Sequence, residues 1–441
     1  MTNPFKHGLT PKMRPLNPRR SAILCVLDVG TSKIVCMIAR LRPREGSDIL
    51  PNRTHKAEII GIGHTRSRGM KAGTVTDVAK AETAIRQAVA AAEKTAEVQI
   101  DRVILSVSAG RIASEQYEAR VTCAQPRVQD ADIHRVLEAA SDHSIRQGRA
   151  VLHSMPIGFT LDDARGIRDP RQMLGTELGV DMHVVTTDLA VARNLMLCVE
   201  RCHLSVEAMV AAPFAAGLAV LTDDEAELGT VCIDMGAGTT TVAVFAGGHF
   251  VHSDGLAVGS HHVTMDLARG LSTSLSEAER LKVLHGAAFA TKSDERDIIN
   301  VSSVSEDERD LPNQVTRAQI VRIIRPRIDE TLEMVRDRLN ASGAAAEAGR
   351  RVVLTGGGAQ LPGLADLAGR VLGRQVRVAR PVGVTGLPDS TKGPPFAAAV
   401  GLTVYPQIAG LEHFEPQRRF FAATGTDGYF SRVGRWIRES F

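Results

Sequence analysis

The stretch Asp-Met-Gly-Ala-Gly-Thr-Thr at residues 234–240 constrains the fold more than any other. It joins two apolar, β-branched runs, 230–233 and 240–246, through a turn that only small residues can make. Asp234 stands at the base of the turn. Gly236, Ala237 and Gly238 would let backbone N–H groups approach an anion, and Thr239 and Thr240 add hydroxyls. A plain hairpin satisfies the pattern on its own, but an acid beneath a small-residue turn is also how proteins hold a phosphate and a metal together. The same grammar occurs in residues 22–39, where Asp28, Gly30 and the hydroxyl pair Thr31 and Ser32 sit between apolar runs. The two copies are too far apart for a short-period repeat, so they predict two similar lobes whose turns face one another across a cleft.

Composition narrows the functions such a chain can have. Its 441 residues are enough for two to four folded units, and 53 Lys+Arg against 50 Asp+Glu leave a net charge of +3. That balance, with aromatics at 4%, argues against a nucleic-acid partner. The six cysteines lie mostly in apolar runs, as buried thiols do in a reducing compartment. Residues 208–221, the longest uncharged run, number 14 and include Pro213 and Gly217, short of the roughly 18 that span a bilayer. No apolar h-region precedes Ala22, and a cytoplasmic location is expected.

The paired turns resemble the two phosphate motifs of the actin-like ATPase superfamily, and Val-Val-Leu-Thr-Gly-Gly-Gly at 352–358 resembles its adenosine loop. Within that superfamily, residues 22–441 resemble the bacterial cell-division FtsA family. The most specific matches are Ser67-Arg68-Gly69-Met70, the run from Ser276 to Lys282 followed by His285-Gly286, and the C-terminal tail. The resemblance implies an α/β, actin-like (ribonuclease-H-like) two-lobe fold with a small α+β subdomain inserted in the first lobe. The expected first lobe is 22–106, 187–213 and 383–406, the insert 107–186, and the second lobe 214–382. Residues 1–21, rich in proline, lysine and arginine, read as a disordered arm, and 407–427 as a linker.

For the cleft, the resemblance implies ATP and Mg²⁺. Asp28 and Asp234 would hold the metal through its waters and, as the catalytic residues, help orient the attacking water. Gly30, Thr31, Ser32, Lys33, Gly236, Ala237, Gly238, Thr239 and Thr240 would bind phosphates. Gly356, Gly357 and Gly358 would admit the adenosine. Glu279 and Lys282, three residues apart and so on one helix face, would meet the ribose and adenine. Where relatives commonly have a third glycine and a later Asp or Ser, this chain has Ala237 and Thr241, from which slow or weak hydrolysis is expected.

The resemblance also implies partners. The C-terminal tail of FtsZ would dock near Arg327 and Glu330, other divisome proteins on the insert, and copies of the chain head to tail in filaments. Read as a helix, residues 428–441 put Tyr429, Phe430, Val433, Trp436, Ile437 and Phe441 on one face, with Arg432, Arg435 and Arg438 on or beside the other. That pattern predicts attachment to an anionic membrane surface, at the cytoplasmic face of the inner membrane and the division septum. The alternatives on this fold are a pilus-assembly ATPase and a sugar-kinase-type enzyme, the latter needing an extra catalytic acid beside the γ-phosphate.

Overall fold

The computed structural model describes residues 10–44, 53–109, 111–140, 146–302 and 313–412. Both apolar hairpins form, and each grows into a sheet of the same design. Strand Ala22–Val29 pairs antiparallel with Lys33–Pro43, and that strand pairs antiparallel with His55–Arg66. On its other side Ala22–Val29 runs parallel to Arg102–Val107, which runs parallel to Ser205–Ala211. In the second lobe Thr230–Met235 pairs antiparallel with Thr240–Ala246, then His249–Leu256, while its other edge runs parallel to Arg351–Thr355 and Gln375–Val378. Each lobe is therefore a three-stranded meander extended by two parallel strands. The short strand Val384–Thr385 pairs with His55–Arg66 and returns the chain to the first sheet.

Glycines set how closely the helices approach. Helix Val78–Ala96 lays Ala81, Ala84, Ile85, Ala88, Val89 and Ala92 on the first sheet. A Cβ on Gly63 would stand 2.0 Å from the Ala88 carbonyl oxygen, so the helix sits where a side chain would be. Its N-cap is Asp77, which accepts from the Lys80 N–H at 3.1 Å. Behind the lobes, helix Ala212–Val220 crosses helix Ala397–Val404, where a Cβ on Gly401 would fall 1.7 Å from the Ala215 carbonyl oxygen. Helix Arg317–Ala341 continues through Pro326, a residue that ordinarily interrupts or bends a helix. Ile320, Ile324, Ile328, Leu332, Val335 and Leu339 bury its face and outweigh the one lost backbone bond.

The inserted unit is a four-stranded sheet in the order Ala113–Thr122, Glu177–Asp188, Arg149–Leu161, Ala164–Ile167, with helix Asp130–Ala140 packed on it. Residues 182–185 lie in Glu177–Asp188, a strand paired on both sides within the insert. The insert is also stitched to the second lobe. The Ser253 N–H donates to Ser114 Oγ at 2.6 Å, Gln116 Nε2 donates to the Val251 carbonyl at 3.1 Å, and His183 Nδ1 donates to the Phe250 carbonyl at 2.7 Å. With Nδ1 protonated, Nε2 of His183 accepts from Ser114 Oγ at 2.8 Å.

Parts of both ends that were expected to be unstructured have defined places in the structure. Thr10 Oγ1 donates to the Val151 carbonyl at 2.7 Å, Met13 is buried and Leu16 packs on the first-lobe core, so the expected arm is ordered from residue 10. At the other end Tyr405–Gln407 and Ala409–Glu412 are 3₁₀ turns with Ile408, Ala409 and Glu412 buried, where a linker was expected from 407. The physical reason is mutual. Lys12 Nζ and Glu412 Oε2 pair at 2.8 Å, so each end orders the other. Residues 1–9 and 413–441, including every expected membrane residue from Tyr429 to Phe441, lie outside the described residues.

Candidate functional site: two carboxylate turns across a cleft

The two hairpin turns are built alike to within a tenth of an ångström. The Gly30 N–H closes on the Lys33 carbonyl at 3.0 Å, and the Gly236 N–H on the Thr239 carbonyl at 2.9 Å. Asp28 faces Val35 across its hairpin and Asp234 faces Thr241, the same offset in each. A Cβ on Gly30 would meet the Lys33 carbonyl oxygen at 2.9 Å, and one on Gly236 the Thr239 carbonyl oxygen at 2.9 Å. These two amides are spent inside their own turns. Any phosphate contact of Gly30 and Gly236 must come from elsewhere in the turn, where the Gly238 N–H makes no backbone bond among the described residues.

The turns meet. A Cβ on Gly238 would stand 2.4 Å from Thr31 Oγ1, so the second turn lies directly against the first. Thr31 Oγ1 accepts from the Gly73 N–H at 2.9 Å, and the Ser32 carbonyl accepts from the Ser67 N–H at 2.9 Å. The Ser67-Arg68-Gly69-Met70 stretch thus forms the wall of the first turn, with Gly69 at φ +73° receiving the N-H groups of Thr76 and Asp77.

Lys33 joins the acids. Burial lowers its ammonium to about 8, against the pull of Asp28 and Asp234, and its Nζ lies 3.8 Å from the centre of the Phe396 ring. Burial raises Asp234 to about 7, with the charge of Asp28 adding to the rise and Lys33 opposing it. Burial raises Asp28 as well, opposed by a 2.5 Å hydrogen bond from Ser106 Oγ and by Lys33. Two carboxylates held near one another in a poorly solvated place are poised to accept a cation.

The third glycine run closes the site from the second lobe. Gly356, at φ +85°, puts its Cα where a Cβ would be 2.2 Å from Asp234 Oδ1; only glycine fits that conformation and that gap. Gly358 lies under the Met235 carbonyl and Ser260, while Gly357 has room, its nearest neighbour being Pro395 at 4.0 Å. Helix Ser260–Gly270 is seated on the second turn, its Ser260 and His261 N–H groups donating to the Gly236 and Ala237 carbonyls at 2.9 and 2.8 Å. Lys282 Nζ donates to Glu279 Oε2 at 2.7 Å and to Thr264 Oγ1 at 2.9 Å, and Thr264 Oγ1 donates to Glu279 Oε2 at 2.5 Å. Burial pushes the Glu279 carboxyl up, but Lys282 and Thr264 together hold it below its usual range.

Thr240 is placed differently from the other turn residues. Its hydroxyl is buried and donates to the Val258 carbonyl at 2.8 Å, so it supports the turn from behind. Arg327 and Glu330 form one cluster with Asp266, in which Arg327 Nε and Nη2 grip both Asp266 oxygens at 2.7 and 3.2 Å. Sequence reasoning missed Ser106, Thr264 and Phe396. Ser106 is brought to Asp28 by the parallel register that pairs Leu27 with Leu105, which no local sequence signal announces.

The residues present fit a metal–nucleotide. Ser67 Oγ and Thr241 Oγ1 are buried without a hydrogen-bond partner, one beside each turn, and beside them stand two acceptor-only carboxylates and a cationic Lys33. No group of three or more His, Cys, Asp or Glu able to hold a metal without such a ligand occurs among the described residues.

Comparison with known proteins follows the same lines. Residues 231–401 match the family "Cell division protein FtsA", and residues 109–186 match the "SHS2 domain inserted in FTSA". The chain is 54% identical over 436 residues to the cell division protein FtsA of Agrobacterium fabrum, covering 99% of this chain and 98% of that one. It is 32% identical over 423 residues to the FtsA of Escherichia coli K12, covering 94% and 97%. Among solved structures, the PilM-PilN type IV pilus biogenesis complex aligns with a TM-score of 0.59 at 16% identity, covering 87% of this chain and 98% of that one. MreB5 of Spiroplasma citri bound to ADP aligns at 0.50 and 12%, covering 88% and 97%. These two show the fold, actin-like with two lobes, and the inserted domain rests on the match of residues 109–186.

Proposed function

The chain belongs to the FtsA family of bacterial cell-division proteins, and on that premise we propose that it is an ATP-dependent switch that tethers the FtsZ ring to the membrane. The observation that carries the nucleotide part is the pair of matched turns, Asp28 and Asp234 at their bases and Lys33 between them. Asp28 and Asp234 would hold Mg²⁺ through its waters, and the metal would screen the charge of the β- and γ-phosphates. Thr31, Ser32, Thr239 and the Gly238 amide would bind phosphate oxygens, with Lys33 supplying a positive charge. Ser106 orients Asp28 by donating to Oδ1, and Gly356 leaves Asp234 room on the opposite side. The glycine run 356–358 and the Glu279–Lys282–Thr264 cluster, both anchored on the second turn, would receive the adenosine. A threonine at 241, next to Asp234, supplies no carboxylate to the metal, which supports slow or weak hydrolysis and a switching role.

The membrane and FtsZ roles rest on sequence and kinship. Residues 428–441 would bind anionic lipid, the outer part of the second lobe would take the FtsZ C-terminal tail, the insert would recruit later divisome proteins, and copies would assemble head to tail. Two assays test the reading. Asp234→Ala should weaken Mg-ATP binding at least about tenfold, the loss of one charge-assisted contact; unchanged affinity would overturn the site. FtsZ should co-sediment with the protein on anionic vesicles, and its absence from the pellet would overturn the tether.

A further inference from the structure

We infer that the apolar cavity beside Leu411 is an internal dock for the amphipathic segment 428–441, holding its Trp436 side of the chain off the membrane. The inference rests on the reading of that segment as amphipathic. The cavity has a volume of about 120 Å³, opens to the surface, and is lined by Met155 and Ile157 of the insert, Phe214 and Ile408 of the first lobe, and Phe245 and Phe250 of the second. Its floor is a stack of rings, with Phe214 and Phe250 centred 4.5 Å apart and 10° from parallel. An engineered cavity of roughly 150 Å³ with similar lining stays dry and accepts benzene, so this one is sized for an aromatic ring.

Three observations commit it to one occupant. Leu411, 47% exposed, lies on the rim, and the described chain ends one residue later, so 29 residues start at the mouth of the cavity. Even at about 5–6 Å × √n for a flexible chain, the residues between 412 and 436 reach well beyond the mouth and back. The segment carries the chain's only tryptophan and three arginines, Arg432, Arg435 and Arg438. Charge on the rim matches it: helix Asp223–Leu228 borders the cavity with Asp223 and Asp224 exposed, while its Glu225 and Glu227 are already paired with Arg377 and Arg168. Arg53, the basic residue in the lining, donates to the Leu218 carbonyl at 3.4 Å.

Because the cavity draws one wall from each of the three units, an occupant would hold them together, and a membrane would compete for the same side chains. Trp436 fluorescence of the full chain tests this without ambiguity of source. In the wild type without lipid, acrylamide should quench it several-fold less than it quenches a free peptide of residues 428–441. Reversing the rim, Asp223→Lys with Asp224→Lys, should raise quenching and increase the fraction that floats with phosphatidylglycerol vesicles by about threefold, the scale of two surface ion pairs. Both positions are exposed, so folding is preserved. Quenching equal to the peptide's, or protection that grows with protein concentration and so belongs to a second copy, would overturn the dock. Protection that the reversal leaves unchanged would overturn it too. Protection lost on reversal, in a protein that never floats, would support the dock and overturn the membrane reading instead.

Discussion

Glu412 Oε1 accepts a hydrogen bond from Nδ1 of His153 at 2.7 Å, joining the last described residue of the chain to a strand of the insert. The imidazole's other nitrogen, Nε2, accepts from the Ala211 N–H at 2.8 Å, which fixes the tautomer and keeps the ring neutral. Burial opposes ionisation of Glu412, yet His153 and Lys12 together hold its carboxyl down to about 2. The chain's two ends thus meet at a buried, fully paired charge.

Breaking that pairing has a stated cost. Glu412→Ala leaves the His153 N–H without its acceptor and the Lys12 ammonium with only the Leu152 carbonyl, and should destabilise the protein by roughly 3–5 kcal/mol, whereas Glu412→Gln keeps an acceptor for His153 and should cost less. Chemical denaturation of the two variants checks the order; equal losses would mean that the charge, which both variants remove, matters and the acceptor that Gln retains does not.

Acid should unfold the chain through its buried histidines. Burial lowers His183 to about 3, opposed by the Phe250 carbonyl, and burial lowers His153 as well. Their folded pKa values lie below the unfolded value of about 6.5, so the unfolded state binds the extra protons. The histidines' contribution is full above that pH and falls as pH drops from about 6.5 toward 3, partly offset by Asp234, whose raised carboxyl takes up its proton in the folded state first. The depressed Glu412 adds a second loss below about 4, as pH approaches its folded value. Denaturation midpoints at pH 7.5, 6 and 5 should decline in that order, and His183→Gln should flatten the slope.

Gly356→Ala should act on the nucleotide more than on the fold. The added methyl meets Asp234 Oδ1 at 2.2 Å in a backbone conformation at φ +85°. Strain of about 1–3 kcal/mol is expected, with ATP affinity falling by about tenfold or more as the carboxylate is pushed aside. Calorimetric titration against melting temperature separates the two effects. A variant that melts early but binds normally would detach Gly356 from the site.

The Arg327 cluster makes the FtsZ reading testable in two directions. Arg327 is engaged by Asp266, so Asp266→Asn should release it toward a partner carboxylate and strengthen FtsZ-tail binding, by about threefold for one partly exposed pair. Arg327→Gln should weaken it. If neither variant moves the affinity of an FtsZ-tail peptide, the tail docks elsewhere.

Membrane attachment is expected to rest on the C-terminal segment. Removing residues 428–441, or Trp436→Glu alone, should release the protein from anionic vesicles with ATP binding intact. Each arginine there contributes about 1 kcal/mol near anionic lipid, so salt should weaken wild-type attachment without abolishing it. A truncated protein that still floats would place the anchor elsewhere.

What the sequence made legible was whatever is local. Each hairpin carries its own strands, turn and acid within about twenty residues, and periodicity and turn chemistry announce it. The glycine run before Ala359 was readable for the same reason. Contacts that depend on register between distant strands were not. Ser106 reaches Asp28 only because two parallel strands align, and nothing near either residue marks the pair. The ordered ends were hidden more deeply. Proline and arginine around Met13 read as disorder, and the residue that orders them, Glu412, lies at the far end of the described chain. Thr240 looked like its neighbour Thr239, but strand alternation turns its hydroxyl inward.

The stitching of the insert to the second lobe changes the mechanics of the whole molecule. Two bodies joined only at their back can swing like a door, with a single axis and little resistance. Here the insert grows out of the first lobe yet is fastened by Ser114, Gln116 and His183 to the strand at Ser253, Val251 and Phe250, forming a brace across the joint. A braced joint does not swing freely. Any opening of the cleft must shear those bonds or carry the insert along with the second lobe.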